Sequence, residues 1–284
     1  MTHQQEFAVR KMCAVLGVSS SGYYHWKKEL RKQEKNKEID EQIVKIFNKS
    51  RATYGSPRIY KTLQRAGVQT SESTVARRMR SLDISPERKK RFVATTDSEH
   101  EQPIAENILN RQFSVREIGR VWVGDITYIR LRDYFVYLTT VIDLADRMVV
   151  GWHLSDNMTD SDTTIAAFKK ALANRKITEG LIFHSDRGVQ YASKDFRALL
   201  KQKNCIQSMS RKGNCWDNAV AESFFKTIKR ESLNRYQFKT KDQVYSVVFD
   251  YIDGWYNTQR IHTTLGDLSP KMKFLSLQNQ KMAA

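Results

Sequence analysis

Three acidic residues stand where a strand or a helix would present them. Asp125 lies in Trp122-Val123-Gly124-Asp125-Ile126-Thr127-Tyr128, Asp186 in His184-Ser185-Asp186-Arg187-Gly188, and Glu222 in the helical run after Gly213-Asn214. A carboxylate inside the β-branched run around Asp125 is costly to bury unless it is paired or bound to a metal. Asp186 closes a short apolar strand, and strand ends in an α/β sheet are where sites gather. Beside Glu222, residues Ala221, Phe224, Phe225 and Ile228 make an apolar stripe, while Glu222, Lys226 and Lys229 fall on the adjoining face at i, i+4 and i+7. Three such carboxylates suit Mg²⁺, a hard cation that takes oxygen ligands and keeps waters. Two ions about 3.5–4 Å apart can activate an attacking oxygen and stabilise a leaving one. Lys226 and Lys229 are then placed to hold phosphates. Each acid also has an ordinary use: Asp125 could pair with a buried arginine, Asp186 could cap the next helix, and Glu222 could form an i, i+4 pair with Lys226. Asp143, in Val141-Ile142-Asp143-Leu144, is a rival first acid at another strand end.

The elements that must position these residues can be read from periodicity. VWVGDITYIRL, YFVYLTTVIDLA and RMVVGWHLS are β-branched and aromatic, and Arg132-Asp133 and Ala145-Asp146 are short connections, so the pattern predicts an antiparallel three-strand meander. Residues 160–174 predict a helix capped by Asp160 or Ser161. GLIFHSD predicts a short buried strand, SKDFRALLKQ a helix, IQSMS a strand and DNAVAESFFKTIKRES a helix, with Asp217 the best capping residue. This order describes a mixed α/β sheet covered by helices. Residues 242–259 predict an amphipathic helix through Val244, Val247, Val248, Tyr251, Ile252 and Trp255, followed by a shorter tail broken at Leu265-Gly266 and Ser269-Pro270.

The first third reads as all-helical. Ala8, Met12, Val15 and Leu16 share a helical face, Gly17-Val18-Ser19 breaks it, and SSGYYHWKKELRKQEK restarts it. A second unit follows: residues 38–50 with Ile39, Ile43, Ile46 and Phe47 on one face, then a helix over 57–66 with Ser56 as N-cap and Pro57 first, then a helix over 70–80. In the last of these the early Ser/Thr residues, Thr74 among them, could reach bases, and Arg77, Arg78 and Arg80 could reach phosphates. Two helix-turn-helix patterns in tandem, rather than plain helical hairpins, fit the charge. Of the 284 residues, 48 are Lys or Arg and 31 Asp or Glu, a net charge of +17, and residues 1–118 hold 23 basic against 14 acidic. Nucleic acid is the default partner for such a chain. The run Arg88-Lys89-Lys90-Arg91 could follow a phosphate backbone or be a solvated spacer. The implied division is 1–33, 34–83, a linker over 84–118, a catalytic core over 119–232 and a helical segment over 233–284.

Composition narrows the class. With 40% hydrophobic residues the chain can bury a sizeable core. No stretch reaches the about 18 apolar residues of a membrane span, and no secretory signal opens the chain. Cys13, Cys205 and Cys215 are irregularly spaced, which predicts packing thiols in a reduced, intracellular protein.

The stretches WVGDITYI, HSDRGVQYAS, SRKGNCWDNAVAESFFKTIKRE and YNTQRIHTTLGDLSP, with YGSPRIYKTLQRAG upstream, agree in order and spacing with a known family. Over roughly residues 38–280 the chain resembles the second-frame (OrfB-type) transposases of bacterial insertion sequences, within the DDE and retroviral-integrase superfamily. The resemblance implies a ribonuclease-H-like core with Asp125, Asp186 and Glu222 as ligands of two Mg²⁺ ions, Mn²⁺ being able to substitute. It implies cleavage at element ends and strand transfer, often through a circular intermediate. Its partners would be the terminal inverted repeats, target DNA, further copies of the chain, and an upstream-frame product joined by frameshifting. The setting would be the nucleoid of a bacterial cytoplasm. Lys229 matches the family's basic residue on the glutamate helix, so a DNA contact is expected there; Lys226, Arg211 and Lys212 are expected beside it. Asp143 is then structural, and His184 structural or supporting. Asn214, Trp216 and Asn218 form a loop that could touch DNA or the next subunit, or cap the glutamate helix. Arg260 and His262 belong to the C-terminal motif, and no role follows for them. The rival readings are a nuclease of the same fold and a DNA-binding regulator.

Overall fold

Helix formers run without a glycine or proline from Tyr23 to Arg51, and the first consequence is a single long helix. The structure, a computed structural model, describes residues 7–86 and 102–282 and divides the chain into two units, up to Glu87 and from Arg88 onwards. In the first unit, α1 (Val9–Val15) precedes α2 (Ser20–Lys49), whose N-cap Ser19 accepts the Gly22 N–H at 3.0 Å. Then come α3 (Ser56–Arg65) and α4 (Glu72–Ser81). The expected break at 33/34 falls inside α2, because the Lys/Glu/Gln/Arg run there favours helix throughout. Ile39, Ile43 and Phe47 are buried against Ile59, Leu63, Val75 and Met79 of α3 and α4. Of the face expected in α1, Val15 and Leu16 are 86% and 73% exposed, and the buried residue is Cys13. The helix is only two turns long and offers one contact line to α2. The cap of α3 is Gly55, not Ser56.

The second unit is a five-stranded sheet in the order β3-β2-β1-β4-β5. Strands β1 (Val121–Arg130), β2 (Phe135–Asp143) and β3 (Val149–Ser155) form the expected antiparallel meander. Next come α5 (Ala166–Asn174), led in by a π-helical turn over 161–165, and β4 (Ile182–Ser185), parallel to β1. Helices α6 (Val189–Ala192) and α7 (Lys194–Gln202) lead to β5 (Ile206–Met209), parallel to β4. A parallel neighbour requires a crossover, and α5 and α7 supply it on one face. There Trp122, Phe168, Phe183, Tyr191 and Phe196 form an aromatic cluster with edge-to-face contacts. Gly151 of β3 allows α5 to approach: a Cβ would stand 2.4 Å from the Ala167 carbonyl oxygen. Residues 105–109 run beside the β5 edge, with Leu109 N–H donating to Ser208 Oγ at 3.1 Å and Met209 N–H to the Glu106 carbonyl at 3.3 Å.

Helix α8 (Ala219–Glu231) packs on β1, and its stripe Ala221, Phe224, Phe225 and Ile228 is buried as expected. The predicted helix over 242–259 is α9 (Lys241–Phe249), continuing as a π-helix over 250–256. The tail is not a loose end. It forms α10 (Pro270–Met282), which no apolar period announces because only Pro270 of it is buried. Arg260 places two guanidinium N–H groups on Glu231, at 2.8 and 2.7 Å, and Tyr251 Oη donates to the same carboxylate at 2.8 Å. These bonds fasten the C-terminal segment to the end of α8.

Candidate catalytic carboxylate site

The last paired position of β1 and β4 is Val123 opposite His184. Two residues further along each strand lie Asp125 and Asp186, where these neighbouring strands part. Parallel pairing therefore brings two carboxylate-bearing residues, from segments about 60 residues apart in sequence, to the same end of neighbouring strands. Asp125 is 8% exposed and accepts the Ile126 N–H at 2.8 Å. Burial, then the charges of Asp186 and Glu222, push its carboxyl well above the ordinary carboxylate range; Lys229 opposes the shift. Asp186 accepts the Gly188 N–H at 2.9 Å, which turns the chain away from the sheet.

Glu222 enters from the first turn of α8, and Lys226 reaches back to it at 3.1 Å. The pair expected as its ordinary use is thus formed. Among the described residues, no three His, Cys, Asp or Glu side chains close tightly enough to enclose a metal ion. The donor chemistry is nonetheless that of a hard-cation site. The charges of Asp186 and Glu222 and its own burial all disfavour the charge of Asp125, and Glu222 is paired with an exposed lysine.

Lys229 departs from expectation. It is 8% exposed, its Nζ lies 5.4 Å from the Tyr128 ring centre, and burial pushes it down to about 8 although Asp125 pulls the other way. Its charge faces the carboxylate site, not an outer DNA-binding surface. Arg78 is also corrected: its guanidinium is bidentate on Asp40 of α2, with Nε to Oδ1 at 2.6 Å, which ties α4 to α2. Arg77 and Arg80 remain on the exposed side of α4, and Thr74 gives its N–H to the cap Ser71 at 3.2 Å. Lys89 and Lys90 lie outside the described residues.

Asp217 caps no helix. It is fully buried and accepts from Asn107 Nδ2 (2.8 Å), Arg111 Nε (2.7 Å), the Arg211 N–H (3.0 Å) and Arg211 Nε (2.8 Å). The Arg211 guanidinium, expected at DNA, is therefore committed to Asp217 while Lys212 is exposed. Arg111 Nη2 also donates to Asn214 Oδ1 at 2.8 Å, and Asn218 Nδ2 donates to the Gly124 carbonyl at 3.3 Å. Trp216, between them, is 69% exposed. Asn107, Arg111 and Tyr128 were not legible here, since their partners come from distant segments.

The supporting roles are clear. Asp143 accepts from the Gly119 N–H (2.8 Å), Trp122 Nε1 (3.1 Å), Arg175 Nη1 (2.8 Å) and the Ala145 N–H (2.9 Å), and is fully buried. His184 is held between Ser208 Oγ (2.9 Å) and Ser210 Oγ (3.2 Å), and burial pushes it down to about 4, so it is a neutral structural bridge. Cys13 is buried and Cys205 half-buried; the Cys215 side chain lies outside what is described.

This arrangement defines a class. Residues 115–215 and 203–270 match two families each described as an integrase core domain, and residues 22–92 match an HTH-like domain. The core is accordingly the ribonuclease-H-like one, preceded by a helix-turn-helix-like region. The insertion element IS600 uncharacterized 31 kDa protein of Shigella sonnei is 39% identical over 263 residues, covering 91% of this chain and 96% of its own. Transposase InsF for insertion sequence IS3A of Escherichia coli K12 is 37% identical over 273 residues, covering 95% and 94%. A solved HTLV-2 integrase catalytic core domain is 16% identical over 54% of this chain and 94% of its own, with a TM-score of 0.41. On the sequence matches, the chain belongs to the IS3-type insertion-sequence transposases. No described helix is long and apolar enough to cross a membrane.

Proposed function

We propose that this transposase binds the inverted-repeat ends of its own element, cleaves at the 3′ ends, and joins the liberated 3′-hydroxyl to target DNA. The observation that carries this reading is the mutual field of Asp125, Asp186 and Glu222, in which burial and like charge both oppose ionisation of Asp125. Lys229 alone does not offset it, because burial disfavours the lysine's own charge. Two Mg²⁺ ions, or Mn²⁺ in their place, would supply activation of the attacking oxygen and stabilisation of the leaving one. Asp125, Asp186 and Glu222 would hold them, with Glu222 giving up Lys226. Lys229 stays beside Asp125 and fixes its orientation. The phosphate backbone is assigned to Lys226 once released, Lys212, the outer edge of Arg211, and Lys89 and Lys90. End recognition is assigned to the segments 1–33 and 34–83, through Thr74, Arg77 and Arg80. The catalytic work is assigned to 119–232 after the linker 84–118, with 233–284 as buttress. The reading includes several copies on DNA, an upstream-frame partner, and action at the bacterial nucleoid.

The test is single substitution. Asp125→Asn, Asp186→Asn and Glu222→Gln should each abolish strand transfer of a 3′-OH oligonucleotide into plasmid, nearly as fully as the triple change, since residues acting as a unit are not additive. Gel-shift binding to element ends should persist in the same preparations. Asp143→Asn should lower stability without selective loss of catalysis in the folded fraction. A fully active Glu222→Gln, or an Asp143→Asn that folds and binds but is inactive, means the wrong acids have been assigned. Hydrolysis without strand transfer would make the chain a nuclease.

A further inference from the structure

Tyr191 sits in α6, five residues after Asp186, with its ring in the aromatic cluster against Phe183 and Phe196. The residue is 1% exposed, and its hydroxyl makes no hydrogen bond to any described residue. Its surroundings are specific. A Cβ on Gly124 would stand 3.2 Å from Tyr191 Oη, so the hydroxyl lies against the backbone of the residue before Asp125. A Cβ on Gly188 would stand 3.1 Å from Asp186 Oδ1 and 3.7 Å from Tyr191 Cδ2, so that glycine lies close to both the second carboxylate and the ring. Burial and the charges of Asp125 and Asp186 hold the phenol well above its usual range, which keeps it a neutral donor. A second buried polar atom without a partner, Asn218 Oδ1, belongs to the side chain whose Nδ2 binds the Gly124 carbonyl. Two uncommitted polar atoms therefore flank the Gly124–Asp125 peptide where β1 and β4 part.

Packing does not account for the hydroxyl. Phenylalanine would fill the same aromatic space, and a buried donor without a partner costs stability. A buried polar group retained at such a cost beside a functional site calls for a use there. We propose that Tyr191 is a positioning residue of the carboxylate site: its hydroxyl gives a water-bridged hydrogen bond to the Asp125–Asp186 pair and sets the carboxylates in the orientation that binds a divalent cation. A bridging water is nearly as good enthalpically as a direct bond, and Tyr191 Oη, Asn218 Oδ1 and the two carboxylates are the polar partners it would join. The inference rests on the carboxylate reading above.

The test is Tyr191→Phe in the full chain, measuring Mn²⁺ affinity by electron paramagnetic resonance and the thermal midpoint by calorimetry. Removing an atom that supports metal ligands should weaken Mn²⁺ binding about 10-fold. The midpoint should stay level or rise, because a buried partnerless hydroxyl has been removed. Mn²⁺ affinity within twofold of the parent overturns the proposal, whatever the midpoint does. Weaker binding with a lower midpoint also overturns it, since a loosened core would do the same. A parent chain that binds no Mn²⁺ sinks the carboxylate reading as well, so the two failures are told apart.

Discussion

Arg260→Ala should unfold the catalytic unit far more readily than its place near the C-terminus suggests. Arg260 and Glu231 are 4% and 3% exposed and joined by two charged hydrogen bonds of 2.8 and 2.7 Å, with the guanidinium 5.8 Å from the Tyr256 ring centre. Truncation removes the buried counter-ion of the Glu231 carboxylate and leaves it the Tyr251 hydroxyl at 2.8 Å and the more exposed Arg230 guanidinium at 3.8 Å. Breaking one side of a buried pair costs about 3–5 kcal/mol. With a urea m-value of about 3 kcal/mol/M, the midpoint falls by about 1–1.7 M. The assay is urea unfolding followed by tryptophan fluorescence, which reports chiefly on the second unit because four of the five tryptophans (Trp122, Trp152, Trp216 and Trp255) lie there. A chain of two units need not unfold in one step, so that transition is fitted by itself. Glu231→Leu combined with Arg260→Met removes both charges while keeping apolar volume, and should recover most of the loss, by about 2 kcal/mol or more. A shift below about 0.3 M for Arg260→Ala, or a double variant whose cost is the sum of the singles, would refute the reasoning.

Three further outcomes are expected. Asp125 has a carboxyl raised in the folded state, so its contribution is intact below the ordinary carboxylate range and is lost as pH rises through the folded value. In EDTA at pH 7.5, Asp125→Asn should therefore raise stability by about 1 kcal/mol or more, and at pH 4 by little; equal effects at both pH values in denaturant titrations would contradict the sign. Burial pushes the Cys205 thiol up to about 11 from 9.0, so at pH 8 about 1 in 1,000 is thiolate where an ordinary cysteine has about 1 in 10. Iodoacetamide labelling, read by peptide mass, should be correspondingly slow and still rising above pH 10, and a plateau near pH 9 would show otherwise. Gly151→Ala would place a Cβ 2.4 Å from the Ala167 carbonyl oxygen and 2.6 Å from the Ala171 nitrogen, both backbone atoms of the helix against β3. It should cost about 2–3 kcal/mol by the same urea assay, and a midpoint within error of the parent would show that α5 yields freely.

Local pattern carried much of the protein. β-branched and aromatic runs with short connections marked the meander, the stripe Ala221-Phe224-Phe225-Ile228 marked the buried face of α8, and the motifs around Asp125, Asp186 and Glu222 marked the family, because each of these signals is written in residues close together. Helix α10 escaped because it buries almost nothing, so no period distinguishes it. The boundary set at 33/34 failed because a charged helical run looks the same inside a long helix as between two short ones. Tertiary structure alone decided where charge goes. A lysine on the adjoining face of α8 reads as exposed until β1 is laid beside it, and then Lys229 faces Asp125 over the Tyr128 ring. Arg78 reads as a phosphate contact until α2 brings Asp40 to it from 38 residues away. Asp217 reads as a cap until Asn107 and Arg111 arrive from more than 100 residues upstream. Burial and counter-charge are properties of the assembled environment, and one segment cannot report what another will place against it.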